Sequence, residues 1–277
     1  MVILQKISEL ELFLNQNNSS QKAFIPTMGA LHSGHASLIK AAKNDQSVTI
    51  CSVFVNPLQF NNPEDLQSYP QTLEQDIRFL EALGCNAVFA PSATEVYPKS
   101  YEPLNIDLGI LDQVLEGHHR PGHFIGVARV LHRFFSIIKP HTAFFGLKDY
   151  QQCLVVQKLA EQYFPNLKLQ WVPTVRDNRG LALSSRNSRL SEHGIVLASQ
   201  LYQAMLATRS QAFLRPPQEA LQSGIELLTQ QAIDIEYFTL VDSQTLIEPK
   251  VWEHNQKYII LAAIYIEGVR LIDNMFI

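Results

Sequence analysis

Short apolar, β-branched runs alternate along the first two-thirds of the chain with stretches whose apolar residues recur at helical spacing. Ala23 to Pro26, Val48 to Val55, Ala87 to Ala90, Thr142 to Phe145 and Leu169 to Val172 are bounded by Gly, Pro or Asn and predict buried strands. Ala36 to Lys43, Leu66 to Leu83 and Gly126 to Ile138 predict helices between them. Strand and helix in repetition imply βαβ units, so the expected fold is α/β, a Rossmann-like doubly wound parallel sheet. Beyond about residue 175 the pattern changes. Glu192 to Thr208 and Gln218 to Gln230 read as amphipathic helices, and Ile235 to Val241 and Tyr258 to Ile266 as strands. A smaller C-terminal α+β domain over 175–277 is therefore expected behind a first domain over 1–174.

In doubly wound sheets ligands bind beyond the carboxyl ends of the strands, which singles out the residues directly after each strand. Met28 to His35 follow the first, Asn56 to Phe60 the second and Gly146 to Gln152 the fourth. Pro173 to Asp177 follow the fifth, with Leu183 to Asn187 soon after. Polar groups thus collect at one edge of the expected sheet.

His32-Ser33-Gly34-His35 open the helix behind the first strand, where backbone N–H groups attract phosphate. Two imidazoles three apart share one face of the first turn and can donate to a phosphate oxygen that gains charge. Alone, the same four residues also describe an ordinary capping turn. Gly146 lets the backbone approach a ligand, Lys148 is a compact cation suited to phosphate, and Asp149 can accept from a ribose hydroxyl or orient the lysine. Ser184, Ser185 and Arg186 supply two hydroxyls and a bidentate guanidinium to outer phosphates, or simply a serine-rich turn before a helix. Asn56 and Gln59 are uncharged amides suited to a small substrate with hydroxyls and a carbonyl. Three histidines, His118, His119 and His123, invite a metal, but Pro121 and Gly122 interrupt the helix a ligand pair would need. No metal site is read there; Arg120 is expected to meet anionic substrate instead.

A length of 277 residues, 46% apolar and 17% charged, allows one large domain or two smaller ones and a sizeable core. The net charge of −4 argues against a broad nucleic-acid footprint. Cys51, Cys85 and Cys153 are odd in number and far apart, which fits buried thiols in a reducing compartment. No signal-peptide pattern and no apolar run of about 20 residues is present, so a cytoplasmic protein without a membrane span is expected.

PTMGALHSGH, SVFVNPLQF, EDLQSYPQTLEQD, EGHHRPGHFIGV, FFGLKDYQQ, RDNRGLALSSRN and the C-terminal RLIDN together resemble the pantoate–β-alanine ligase (pantothenate synthetase) family, within the nucleotidyltransferase superfamily that carries an HxGH motif. The matches run in order from about residue 20 to 190, with a weaker echo to the end. The resemblance implies a two-step reaction in coenzyme A biosynthesis. ATP activates pantoate to pantoyl adenylate with release of pyrophosphate, and β-alanine then displaces AMP to give pantothenate. It also implies that Pro26, Met28, Gly29, Ala30, Leu31, His32, Ser33, Gly34, His35, Gly146, Leu147, Lys148, Asp149, Val175, Leu183, Ser184, Ser185 and Arg186 bind ATP. By the same resemblance Gln59 and Gln152 hold pantoate, Gln59 lies close to β-alanine, and His35 is the proton donor. His32, His35 and Lys148, with Mg²⁺, would stabilise charge on the reacting phosphate, so catalysis would be positioning plus electrostatics. The C-terminal domain is the expected lid, and a homodimer is implied. Two positions depart from the family pattern, Ile125 where an arginine is common and Leu147 where a polar residue is common. A nucleotidyltransferase of the same fold that keeps the nucleotide in its product is the alternative enzyme. A silent nucleotide-binding regulator is the alternative outside enzymes, and the intact His32, His35 and Lys148 argue against it.

Overall fold

The computed structural model describes residues 1–43, 47–61 and 63–277, and the chain divides into two compact units. The first comprises Met1–Leu147 and Gln151–Pro173, the second Lys148–Tyr150 and Thr174–Ile277. The division thus falls one residue before the boundary expected from sequence, and a three-residue piece behind the fourth expected strand goes with the second unit.

The first unit runs β1 (Val2–Leu4), α1 (Ile7–Gln16), β2 (Gln21–Thr27), α2 (Ser33–Ala42), β3 (Ser47–Val53), α3 (Pro63–Ser68), α4 (Leu73–Ala82), β4 (Ala87–Phe89), α5 (Ala93–Val96), α6 (Glu116–His119), α7 (His123–Ile138), β5 (Thr142–Gly146), α8 (Tyr150–Tyr163, of which Tyr150 belongs to the second unit) and β6 (Lys168–Val172). Its six strands are parallel and lie in the order β1-β4-β3-β2-β5-β6. The winding reverses between β2 and β5, which places a topological switch point at their carboxyl ends. Helices cover both faces, which is why the inner strands β2 to β5 read as apolar runs. Phe24 of β2 meets Phe134 and Phe135 of α7 edge-on, at 5.9 and 6.2 Å between ring centroids. Its neighbour Ile25 turns to the opposite face and packs with Leu38, Ile39 and Ala42 of α2 and Leu80 of α4.

Two departures from the sequence reading have clear causes. The helix expected over 66–83 is two helices, α3 and α4, separated at 69–72. Pro70 lacks an N–H and disfavours helical geometry at Tyr69, so the stretch breaks there. β1 went unanticipated because it has only three residues, two of them exposed, and shows no period.

The second unit adds α9 (Glu192–Gln211) and α10 (Pro217–Gln230) and an antiparallel sheet in the order β7 (Asp234–Asp242), β8 (Tyr258–Ile266), β9 (Val269–Phe276). Leu201 and Met205 of α9 and Leu221 and Leu228 of α10 pack with Ile260, Ala262 and Ile264 of β8. Strand β9, unanticipated from sequence, returns through the two-residue turn Glu267-Gly268, both at positive φ. That is the geometry a tight hairpin requires, and Gly268 takes it without strain. Among the described residues no helix is long and apolar enough to cross a membrane.

Candidate active site

In the first unit the turn after β2 is held from α4. Gly29 and Ala30 both have positive φ, and the Ala30 and Leu31 N–H groups donate to the Asp76 carboxylate at 3.1 and 2.7 Å. Thr72 adds a hydroxyl donor to the same carboxylate, which is 2% exposed. A Cβ on Gly29 would lie 2.9 Å from Asp76 Oδ2 and 3.0 Å from Val53 Cγ1, so both the conformation and the space require glycine.

His32 is the N-cap of α2. Its Nδ1 accepts from the Gly34 N–H at 3.1 Å, and His35 Nδ1 accepts from the His32 N–H at 3.2 Å, a reciprocal box built from two imidazoles. The rings lie 4.2 Å apart between centroids. A ring nitrogen that accepts carries no proton, so in the neutral form each ring keeps its proton on Nε2 and offers an Nε2–H donor. Four of the backbone N–H groups in the turn expected to meet phosphate are engaged within the unit. Those of Ala30 and Leu31 are turned to Asp76, and those of Gly34 and His35 to His32. The donors suited to an anion here are imidazole edges.

Behind β3, Asn56 is 1% exposed and uses its whole hydrogen-bonding capacity within the unit. Its Oδ1 accepts from the Tyr97 hydroxyl at 2.9 Å and the Leu58 N–H at 3.2 Å. Its Nδ2 donates to Gln59 Oε1 at 3.0 Å and Gly126 O at 3.1 Å. Burial pushes the Tyr97 phenol well above its ordinary pKa, so it stays a donor. With Oε1 committed to Asn56, Gln59 is oriented with its NH₂ as the presented group, which meets Met28 Sδ at 2.8 Å. Met28 opens the turn that carries the two histidines, so the amide and the imidazoles share one neighbourhood.

The Gln59 backbone is fixed as well. His123 Nδ1 must donate to Gln59 O, 2.8 Å away, because a carbonyl only accepts, and His123 Nε2 then accepts from Arg120 at 3.1 Å. Arg120 also pairs with buried Glu116 at 3.8 Å. Of the three histidines, His123 is buried and holds the Gln59 backbone, while His118 and His119 are exposed on α6. Helix α7 presses closely on Gln59: a Cβ at Gly126 would stand 2.2 Å from Leu58 O and 2.7 Å from Gln59 Cα. Gly126→Ala is expected to cost about 1–3 kcal/mol of stability through this overpacking. It should also raise the KM for the ligand of Gln59 about tenfold or more, because displacement of a positioned group by a fraction of an ångström is felt in binding. Thermal denaturation and substrate titration check the two effects.

Gln151 and Gln152 divide the work of adjacent amides on α8. Buried Gln151 ties Glu116 N, Leu111 O and Val114 O together, whereas half-exposed Gln152 has no side-chain partner among the described residues. At the end of β5, a Cβ on Gly146 would meet nothing within 4 Å, so the protein's own packing does not demand glycine there. Ile125 is half-buried in α7.

In the second unit, Lys148 and Asp149 form one 3-10 turn with Leu147, and the Lys148 ammonium lies 3.7 Å from Asp149. Val175 and Leu183, eight apart in sequence, are brought together: the Leu183 N–H donates to Val175 O at 2.9 Å, beside an antiparallel bridge between Arg176 and Ala182. Ser184 caps the short 3-10 helix Ser185–Arg189 by accepting from the Arg186 N–H.

Sequence reasoning missed Asp76, Tyr97, His123 and Gly126 as positioning groups. For Asp76 a signal existed, a carboxylate four residues before Leu80 on the buried face of a helix.

A sequence description of the pantoate-beta-alanine ligase family matches residues 2–276. The pantothenate synthetase of Cytophaga hutchinsonii is 42% identical over 282 residues, covering 100% of this chain and 99% of the relative. That of Bacteroides fragilis is 39% identical over 284 residues, with 99% and 98% covered. The crystal structure of pantothenate synthetase from Thermus thermophilus superposes with a TM-score of 0.92 at 38% identity, covering 99% of each chain. A pantoate-beta-alanine ligase from Francisella tularensis, complexed with beta-gamma ATP and beta-alanine, gives 0.81 at 36%, with 99% of this chain and 97% of that one covered.

Proposed function

The chain belongs to the pantoate–β-alanine ligase family, and on that premise we propose that it condenses pantoate with β-alanine, converting ATP to AMP and pyrophosphate through a pantoyl adenylate. A carboxylate oxygen of pantoate attacks the α-phosphorus and pyrophosphate leaves. The β-alanine amine then attacks the acyl carbon, loses a proton and displaces AMP. Charge grows on the non-bridging α-phosphate oxygens and on pyrophosphate, and the Nε2–H groups of His32 and His35 are the donors that stabilise it, with His35 the proton donor. Gln59 and Gln152 hold pantoate, and Asn56 acts through Gln59 rather than on substrate. Arg120 serves the anionic substrate while anchored by Glu116 and His123. Lys148, Asp149, Val175 and Leu183 to Arg186 are assigned to ATP, together with Pro26 to His35, Gly146 and Leu147.

The observation that carries this reading is the pair of imidazoles locked as Nε2–H donors at the switch point, next to a glutamine locked as an NH₂ donor. Pantoate-dependent exchange of labelled pyrophosphate into ATP, needing no β-alanine, is the expected result, with AMP and pantothenate formed only when both acids are present. Exchange without pantoate, or a stable product that retains the nucleotide, overturns it.

Among the described residues no group of three or more His, Cys, Asp or Glu side chains is placed to hold a metal ion. No step is assigned to a protein-held metal, and Mg²⁺, which binds through phosphates and waters with one or two carboxylates, is expected to arrive on the triphosphate. The three cysteines are free and buried, in keeping with a cytoplasmic location. A homodimer is the family expectation, and light scattering on the purified chain checks it.

A further inference from the structure

Of the motifs that carry the family resemblance, the C-terminal Arg270-Leu271-Ile272-Asp273-Asn274 has no part in the reading above. We propose that Asn274 is a positioning residue that holds the Lys148 backbone, and through it the ammonium, for adenylation.

Asn274 lies buried on β9, and its Nδ2 donates to Lys148 O at 2.8 Å. Its own peptide is tied on both sides. The Asn274 N–H donates to Asp273 Oδ1 at 2.7 Å, and Asn274 O accepts from Arg176 at 3.0 Å. Asp273 takes the Arg176 guanidinium in a two-pronged ion pair, and that guanidinium lies 4.5 Å from the centre of the Tyr202 ring. The backbone that carries the Asn274 side chain is thus held on both sides, and its amide reaches Lys148 O from a fixed strand. The following segment is held too: the Tyr150 hydroxyl donates to Ser243 O at 2.8 Å, and its ring meets Phe276 of β9 edge-on.

Lys148 lies on a three-residue 3-10 turn between the end of β5 and the start of α8, and the contact of its ammonium with half-exposed Asp149 is too long and too wet to fix the charge. Arg176, the other arm of the same anchor, adjoins Val175, whose carbonyl receives the Leu183 N–H. The Asp273-Asn274 pair on β9 therefore holds the Lys148 turn directly and, through Arg176, the residue next to Val175.

The proposal rests on the reading of Lys148 as a group that acts in adenylation. The test is a double-mutant cycle in the full chain, read by pantoate-dependent ATP–pyrophosphate exchange well below the melting temperature. Asn274→Asp keeps the side chain's size but sets an oxygen against Lys148 O. It should lower kcat about tenfold while the pantoate KM stays within about twofold, and it should cost nothing further in a Lys148→Ala background. Asn274→Ala removes the donor without adding charge and should give the same pattern if the aspartate destabilises the unit. Effects that multiply in the double variant, or a lowered melting temperature with unchanged kcat, overturn the positioning role. Near wild-type exchange by Lys148→Ala alone overturns the reading of the lysine, and the proposal falls with it.

Discussion

Exchanging His35 for alanine is expected to slow pantoate-dependent ATP–pyrophosphate exchange by on the order of 10²-fold, the scale on which removal of one preorganised donor to a developing oxyanion is felt. His35 has two separable jobs. Its Nδ1 accepts from the His32 N–H and so completes the cap of α2, while the Nε2–H that this bond enforces is the donor to phosphate. Loss of the cap costs about 1 kcal/mol. His35→Gln separates the two, because glutamine at this position of a capping box can still reach back to the N-cap N–H. Stability should therefore recover in His35→Gln relative to His35→Ala, while kcat recovers far less. A variant of either kind that exchanges at nearly the wild-type rate would sink the assigned role, and equal rescue of rate and stability would reduce His35 to a cap.

How far the sequence anticipated this arrangement follows from the range over which each signal acts. Five strands of the parallel sheet were legible: β2 to β5 because burial at their centres leaves apolar runs, and the edge strand β6, buried only at Val172, because Leu169, Trp171 and Val172 are apolar. The HSGH turn was legible because strand, glycine and helix start are adjacent in sequence. What escaped were contacts that chain distance hides. Asp76 lies 45 residues from the Leu31 N–H it accepts, and His123 lies 64 residues from the Gln59 carbonyl it holds. Asn56 was read as a group facing substrate because its local pattern, an amide after an apolar strand, does not reveal that Tyr97 and Gly126 consume its polar atoms. The engagement of several backbone N–H groups of the first turn escaped for a related reason. A helix start says that donors exist, but their vacancy depends on side chains, and here the two histidines themselves fill part of it. Strand β9 was missed although Glu267-Gly268 makes a hairpin turn, because the adjacent polar residues Asp273 and Asn274 break the apolar alternation, and those two residues bear the anchor of the Lys148 turn.

Asp76→Asn is the second substitution with a large expected effect, and it separates a turn that is merely tolerated from one that is held. Asparagine matches aspartate in shape but replaces one carboxylate oxygen with a donor. That donor must face either the Leu31 N–H or the Ala30 N–H and the Thr72 hydroxyl, all of which are donors to Asp76 in the native protein. One buried donor is left unmatched whichever way the amide turns, at about 1–3 kcal/mol. For a chain of this size that corresponds to a fall of a few degrees, roughly 2–8 °C, in melting temperature. The consequence for rate follows from Gly29 and Ala30, whose positive φ values need an outside group to sustain them. Released from Asp76, the turn relaxes, and Met28, Gln59 and the two imidazoles lose their register. Exchange should then fall by about 10- to 100-fold, since displacements of an ångström at a positioned site act on that scale. Asp76→Ala removes both acceptors and should be worse on both counts. A melting temperature that falls while exchange stays within about twofold of wild type would mean that the turn keeps its shape without the carboxylate, and Asp76 would then matter to folding alone.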